Sequence, residues 1–129
     1  MDRSTGDSIR LTVPATSVAV RIARAGAAAL ATHAGFTYRE VEALRLAVGE
    51  AAALLAPDIE GDGTLVVVYD VEDAALSINL HLVDRAPRVV GTPSLAAAVL
   101  DASVDTWHVT DDGRRLVLRK SVTEGEDDD

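Results

Sequence analysis

One carboxylate in this sequence stands among small and apolar residues at helical spacing. Within the segment 40–55, which reads EVEALRLAVGEAAALL, Glu50 has Ala47 three residues before it and Leu54 four residues after it. A carboxylate with apolar neighbours is the kind of group that enzymes use as a general base. The same spacing also fits a structural residue at the rim of a buried stripe, with its carboxylate in water.

The other residues that could do chemistry form no second motif. His33, His81 and His108 lie on three different predicted elements, without the spacing of metal ligands. The sequence has no cysteine, which excludes disulfides and thiolate metal sites, and no nucleophile elbow is visible. The single tryptophan, Trp107, lies on a predicted strand, where packing is its expected role.

The helix that carries Glu50 has a clear start. Thr37 and Glu40 have the spacing of a capping box, and an apolar stripe follows at Val41, Leu44 and Val48. The same reasoning applied along the chain predicts eight elements. They are strand 8–13, helix 17–33, helix 38–55, strand 64–71, strand 75–83, helix 93–104, strand 105–110 and strand 114–122.

Two of these elements show which face should be buried. The first helix should be capped by Thr16 or Ser17 and ended by Gly35, with Arg21 and Arg24 facing solvent. Its expected buried side consists of Val18, Ile22, Ala25, Ala29 and Leu30. The strand 75–83 alternates, with Leu76, Ile78, Leu80 and Leu82 inward and Ser77, Asn79 and His81 outward.

The order of the elements predicts the fold class. Two strand pairs that meet in one mixed or antiparallel sheet, with helices on one face, give an α+β two-layer sandwich. We expect a single domain over residues 8–122, with disordered segments at 1–7 and 123–129. The alanine-rich stretch 23–34 fits either a close helix contact inside this domain or a dimer surface.

The charge of the chain limits its partners. The formal net charge is −9, which argues against nucleic acid, because neutralising phosphates requires clustered Lys and Arg. The run EGEDDD at 124–129 contributes part of this charge, and a basic protein partner is compatible with the remainder. No apolar run is long enough to cross a membrane, so a cytoplasmic location is expected.

The segment LRLAVGEAAALLA at 44–56 resembles the first ATP-site helix of the GHKL superfamily, specifically the small serine-kinase anti-sigma factors of bacteria. Their helix has an apolar turn, then Glu, then Asn four residues later. Glu50 stands at the Glu position, and Leu54 stands where the Asn is expected. The order of elements over residues 8–122 is similar too, so the resemblance implies a histidine-kinase-like ATPase fold.

The resemblance assigns roles to three positions. Glu50 would be the general base, and the position of Leu54 would supply an oxygen to Mg²⁺, which a leucine lacks. Asp84 would contact adenine, but Ala86 and Arg88 replace the two glycines of the D-x-G-x-G pattern that should follow. The stretch from there to the next helix is also short for a phosphate-binding lid. These departures disfavour ATP and Mg²⁺ as cofactors.

The resemblance therefore implies an anti-sigma factor that sequesters an alternative sigma factor without catalysis and is displaced by an anti-sigma factor antagonist. An active serine/threonine kinase that phosphorylates this antagonist with ATP is the alternative. A third possibility is a fold-only partner of another enzyme. The family implies a homodimer as well, and the surface acids that could contact a sigma factor are Glu42, Asp58, Glu60 and Asp101.

Overall fold

The computed structural model describes residues 7–55, 63–83, 94–110 and 113–122 of the 129-residue chain. These residues form five strands and three helices, as the sequence predicts. In chain order they are β1 (Ser8–Pro14), α1 (Ser17–Ala34), α2 (Tyr38–Leu55), β2 (Thr64–Glu72), β3 (Ala75–Val83), α3 (Ser94–Ser103), β4 (Thr106–Thr110) and β5 (Arg115–Ser121).

The strands form one antiparallel sheet in the order β1-β2-β3-β5-β4. Because side chains alternate along a strand, each row of paired residues faces one side. A row of apolar residues crosses all five strands on the inner face: Leu11, Val67, Leu80, Leu116 and Val109. The helices cover this inner face, which gives the expected α+β two-layer sandwich.

Helix α1 begins and ends where the sequence predicts. Thr16 is the N-cap, and its Oγ1 accepts a hydrogen bond of 3.1 Å from the backbone N–H of Ala19. Gly35 follows the last turn in the left-handed region with φ 97°, a conformation that glycine adopts without strain.

The expected buried face of α1 is wrong. Val18 and Ile22 are 57% and 47% exposed, Ala25 and Ala29 are exposed, and Leu30 is only partly buried. The residues that face the core are Ala19, Ala23, Ala27 and Ala31. The physical reason is distance, because a face of alanines lets the helix backbone lie close to the sheet and to α2.

Helix α2 confirms the capping box. The backbone N–H of Thr37 donates to Oε1 of Glu40 at 2.8 Å, and the backbone N–H of Glu40 donates to Oγ1 of Thr37 at 3.2 Å. The predicted stripe of Val41, Leu44, Val48 and Leu55 is buried. Helix α2 packs between α1 and α3 and contributes more side chains to the core than either neighbour.

The last elements close the sandwich. Trp107 on β4 is half-buried against the core, as expected, and its Nε1 donates a hydrogen bond of 2.8 Å to Asp101 on α3. The predicted cap and proline at 92–93 lie outside the described residues, as do the proposed terminal segments apart from Asp7. In the described parts of the chain, no helix is long and apolar enough to cross a membrane.

Candidate functional site

Glu50 lies at the edge of the buried face of α2. Of its near neighbours on the helix, Ala47 and Leu54 are buried, Ala43 is half-buried and Ala53 is exposed. The carboxylate is therefore enclosed on one side only, and Glu50 itself is half-buried. Within the described residues it makes no hydrogen bond or ion pair. This geometry leaves the carboxylate accessible from solvent and positioned by the helix alone.

Leu54 belongs to the hydrophobic core. Leu54 is 4% exposed and lies in the same hydrophobic cluster as Leu55, Ala51 and Leu100. The position that the resemblance assigns to a Mg²⁺ ligand therefore carries an apolar side chain that the fold uses for packing. Neither its chemistry nor its burial fits metal coordination.

Gly49, the residue before Glu50, lies where α2 packs against α1. Here Arg24 of α1 crosses Gly49 of α2, where an added Cβ would lie 3.6 Å from Cδ of Arg24. Arg24 was expected to face solvent, but it is half-buried, and its buried Nε has no hydrogen-bond partner among the described residues. Because Gly49 has no side chain, the arginine stem can pass close to the helix backbone, while Arg21, one turn away, is exposed as expected.

An apolar stripe runs along the solvent side of α1. It consists of Val18, Ile22, Ala25 and Ala29, at spacings of four, three and four residues. This spacing is typical of a helix that packs against another helix. On α2, Leu46 is also 51% exposed. We call the four α1 residues the α1 stripe.

The face of the sheet opposite the helices carries polar and basic side chains among valines. Asn79 and His81 lie there, as predicted, and both contact Arg115 of β5. The guanidinium donates to Oδ1 of Asn79 at 3.1 Å and lies 3.3 Å from Nδ1 of His81. Arg119 pairs with Glu72 at 2.9 Å. We call this surface the outer sheet face.

The negative charge is not carried by the described part of the fold. The described residues include nine acidic and nine basic side chains, so their formal charges cancel. The formal charge of −9 is thus carried entirely by residues outside the described ranges. These segments include two of the four surface acids that were expected to contact a partner, Asp58 and Glu60. Glu42 is exposed and pairs with Arg45 at 3.8 Å.

The second half of the expected nucleotide site lies outside the described residues. Asp84, Ala86 and Arg88 all belong to the segment 84–93, so their position relative to Glu50 is not described. Among the residues that are described, no three His, Cys, Asp or Glu side chains form a group that could hold a metal ion. Of the expected site, the structure thus places Glu50 and Leu54 only.

Comparison with known proteins gives a fold and no sequence family. No family model matches the chain, and no curated protein matches it either. A solved structure with a similar fold is that of the RsbU and RsbW domains of Rv1364c from Mycobacterium tuberculosis, with a TM-score of 0.63 and 16% sequence identity. The match covers 90% of this chain and 32% of that one, so the present chain spans about a third of that structure. The likeness confirms the predicted fold class.

Two exposed surfaces were not predicted from the sequence. The sequence favours the α1 stripe as the buried side because Val18 and Ile22 are larger than the alanines that are in fact buried. The arginines of the outer sheet face were not predicted, although β5 reads RLVLRKS, with three basic residues and no acid. Strand alternation puts Arg115 and Arg119 on the same face, and this spacing was the available signal.

Proposed function

We propose that this chain is a regulatory binding protein of the anti-sigma type, which sequesters an alternative sigma factor without catalysis. The observation that carries this proposal is Leu54, a core residue at the position where a kinase of this superfamily needs a Mg²⁺ ligand. A chain that keeps the fold and the helix motif but uses the metal position for packing is better suited to binding than to phosphoryl transfer.

The fold supports the same class. The motif 44–56 resembles the ATP-site helix of anti-sigma serine kinases, and the chain shares its fold with a structure that contains an RsbW domain. RsbW is an anti-sigma factor of the GHKL kinase type. With 16% identity, this likeness supports the architecture, while sigma binding is our inference from the surface and the motif.

The α1 stripe is the contact surface that we propose. Val18 and Ile22 are large apolar residues that remain about half exposed in the isolated chain, at a spacing that suits helix packing. The resemblance implies that the early strand and helix of such proteins serve both dimerisation and sigma binding. We therefore propose that the α1 stripe forms part of a homodimer contact or a sigma contact.

Charge would act mainly through the segments outside the described fold. Because the described residues are neutral in sum, steering of a basic sigma surface would come from acids such as Asp58 and Glu60. The exposed Glu42 and Asp101 could add to this, although Asp101 already accepts the bond from Trp107. Association should then slow as salt is raised. Because sigma factors act in the cytoplasm, binding would take place there.

The experiment that tests the proposal measures binding of the purified chain to each sigma factor of its own genome, by calorimetry. Ile22→Glu should weaken binding to the true partner strongly, because it places a charge in an apolar contact. Leu95→Glu, at a 76% exposed position on α3, is the matched control and should leave binding unchanged. Sedimentation of both variants shows whether the same residue holds a homodimer. Failure to bind any sigma factor would contradict the proposal and favour a structural partner of another enzyme.

The alternative function is that of an active serine/threonine kinase acting on an anti-sigma factor antagonist. The observation that favours it is Glu50, a carboxylate held at the position of the family's general base and open to solvent. Titration with Mg²⁺ and ATP, followed by a phosphate-transfer assay on candidate antagonists, distinguishes the two functions. We expect neither nucleotide binding in the micromolar range nor transfer. Micromolar nucleotide binding, or transfer of phosphate to an antagonist, would favour the kinase.

A further inference from the structure

Strand β1 lies at the edge of the sheet and has an open side. It pairs with β2, and no other described strand lies beside it. The strand is seven residues long, and none of its residues is buried; Ile9 is 43% exposed. A strand edge of this kind presents backbone groups with which another strand can pair.

The hydrogen bonds at the two ends of β1 show which residues bond to β2. The backbone N–H of Ala15 donates to the carbonyl of Gly63 at 3.2 Å, and the backbone N–H of Val71 donates to the carbonyl of Asp7 at 2.8 Å. In an antiparallel pair, residues that bond to the partner strand alternate with residues whose backbone groups point away from it. The odd-numbered residues of β1 therefore bond to β2.

The even-numbered residues of β1 direct their backbone groups to the open side. Ser8, Arg10 and Thr12 each present an N–H and a C=O there. Pro14 has no N–H, and its carbonyl accepts a hydrogen bond of 2.8 Å from the backbone N–H of Thr16. A proline at this position leaves the pairing with β2 intact and marks where pairing with a further strand would end.

The side chains of β1 are divided between the two faces of the sheet. Ile9, Leu11 and Val13 lie on the inner face, and Arg10 and Thr12 lie on the outer sheet face. Leu11 and Val13 pack against the core, whereas Ile9 is exposed. A strand added at this edge would bury these three apolar side chains further if it also presented apolar residues to the inner face.

A second copy of β1 meets both requirements. Even-numbered residues must lie opposite even-numbered residues, because only these have backbone groups on the open side. When Leu11 lies opposite Leu11 of the second copy, Ile9 lies opposite Val13, and every pair on the inner face is apolar. On the outer sheet face, Arg10 then lies opposite Thr12, and each such pair exchanges two backbone hydrogen bonds.

The neighbouring registers are less favourable. A shift that places Arg10 opposite Arg10 brings like charges together and pairs Val13 with the polar Asp7. A shift in the other direction places Arg10 opposite Pro14, which has no N–H to exchange. Arg10 and Pro14 therefore select the register that is centred on Leu11.

We propose that two copies of this chain pair antiparallel through β1, with Leu11 at the two-fold axis. The contact joins the sheets into one, with five strands from each copy and the helices of both copies on the same side. Because both copies use the same strand, the assembly closes at two chains. This contact is separate from the α1 stripe and does not depend on sigma binding.

Sedimentation equilibrium of the purified chain tests the pairing. We expect a monomer–dimer equilibrium. Thr12→Pro removes an N–H that points away from β2, so the chain should stay folded. Association should weaken at least about tenfold, because the dimer contains this hydrogen bond twice. Thr12→Ala keeps the N–H and is the matched control, which should associate like the wild type. Circular dichroism checks that both variants are folded.

Disulfide formation tests the register, since the chain has no cysteine of its own. Leu11→Cys should form a linked dimer on oxidation, because opposite residues that exchange no hydrogen bonds have Cα atoms about 4.5 Å apart, within the range of a disulfide. Ile9→Cys and Val13→Cys should each fail to link alone and should link to each other when the two variants are mixed. These variants also decide the case if Thr12→Pro does not fold.

Three results would overturn the proposal. The first is a wild-type chain that stays monomeric as its concentration is raised. The second is association that Ile22→Glu removes and a folded Thr12→Pro retains, which would place the contact on the α1 stripe. The third is linkage of Ile9→Cys alone as fast as that of Leu11→Cys. Failure of the chain to bind a sigma factor changes none of these outcomes, so the two proposals fail separately.

Discussion

The hydroxyl of Tyr69 on β2 donates a hydrogen bond of 2.8 Å to the backbone carbonyl of Ala23 on α1. The two residues are 46 positions apart in the sequence, and both are buried. The phenol reaches the helix backbone because the helix presents only small residues to the sheet. At Gly26 an added Cβ would lie 2.9 Å from the tyrosine hydroxyl. This contact fixes the distance between α1 and the sheet.

Replacing Tyr69 by phenylalanine should lower the free energy of unfolding by about 1 kcal/mol, through loss of one buried hydrogen bond. The loss should be moderate because the carbonyl of Ala23 remains in a helix, where a backbone N–H one turn later can still bond to it. Urea unfolding measures the change. Tyr38→Phe is the matched control, since Tyr38 is 80% exposed and should show no change. Equal effects in the two variants would contradict the role of the bond.

Gly26→Ala should destabilise the chain even though alanine is the better helix former by about 1 kcal/mol. The added methyl would be 2.9 Å from Oη and 3.2 Å from Cζ of Tyr69, which forces a shift in a packed core. In the Tyr69→Phe background the nearest atom is gone, so the cost should shrink, and a double-mutant cycle measures this coupling. Gly49→Ala should instead stabilise, because its methyl would lie at ordinary van der Waals distance from Arg24, 3.6 Å from Cδ and 3.9 Å from Nε.

Stability at alkaline pH should depend on Tyr69. Burial raises the pKa of Tyr69 from 10.0 to about 12. Above pH 10 the unfolded chain gives up this proton while the folded chain retains it, so the unfolded state binds fewer protons. The contribution is complete below pH 10 and is lost as the pH rises toward 12. The difference in unfolding free energy between the wild type and Tyr69→Phe should therefore shrink over this range. A constant difference would show that Tyr69 does not titrate as proposed.

The bounds of the elements were predictable from the sequence, whereas the buried face of α1 was not, and the contact with Tyr69 explains the second result. Element bounds depend on local signals such as the capping box of Thr37 and Glu40 and the glycine that ends α1, and these were readable. Which face of α1 is buried depends on a contact with a strand 46 residues away. Size favoured Val18 and Ile22, but the close approach of the sheet required alanine and glycine.

The candidate site was predictable only in part, for a related reason. Glu50 and Leu54 lie on a long helix whose start and stripe are visible in the sequence, and their burial follows from that stripe. The α1 stripe and the outer sheet face depend on which surfaces remain uncovered after packing, and this is a property of the whole arrangement. Local spacing could place Arg115 and Arg119 on one face but could not show that the described helices all lie on the other face.

Leu54→Ala should lower the free energy of unfolding by about 2–4 kcal/mol, because Leu54 is 4% exposed in the core. Leu46→Ala, eight residues earlier on α2 and 51% exposed, is the matched control and should cost less than about 1 kcal/mol. Chemical denaturation of both variants gives the comparison. Similarly small losses of unfolding free energy in both variants would mean that Leu54 is not needed for packing. Its position would then be available for contact with a ligand.

Glu50→Ala should leave both the fold and partner binding intact. The carboxylate is half-buried at the helix rim and makes no ion pair within the described residues, so its loss should change the unfolding free energy by about 0.5 kcal/mol or less. The proposed regulator, which binds through the α1 stripe, would not need a general base, and calorimetry with the proposed sigma factor partner should give the affinity of the wild type. Ile22→Glu is the positive control for lost binding in the same assay. If Glu50→Ala abolishes regulation while the protein stays folded and still binds, the carboxylate has a catalytic role and the kinase alternative is favoured.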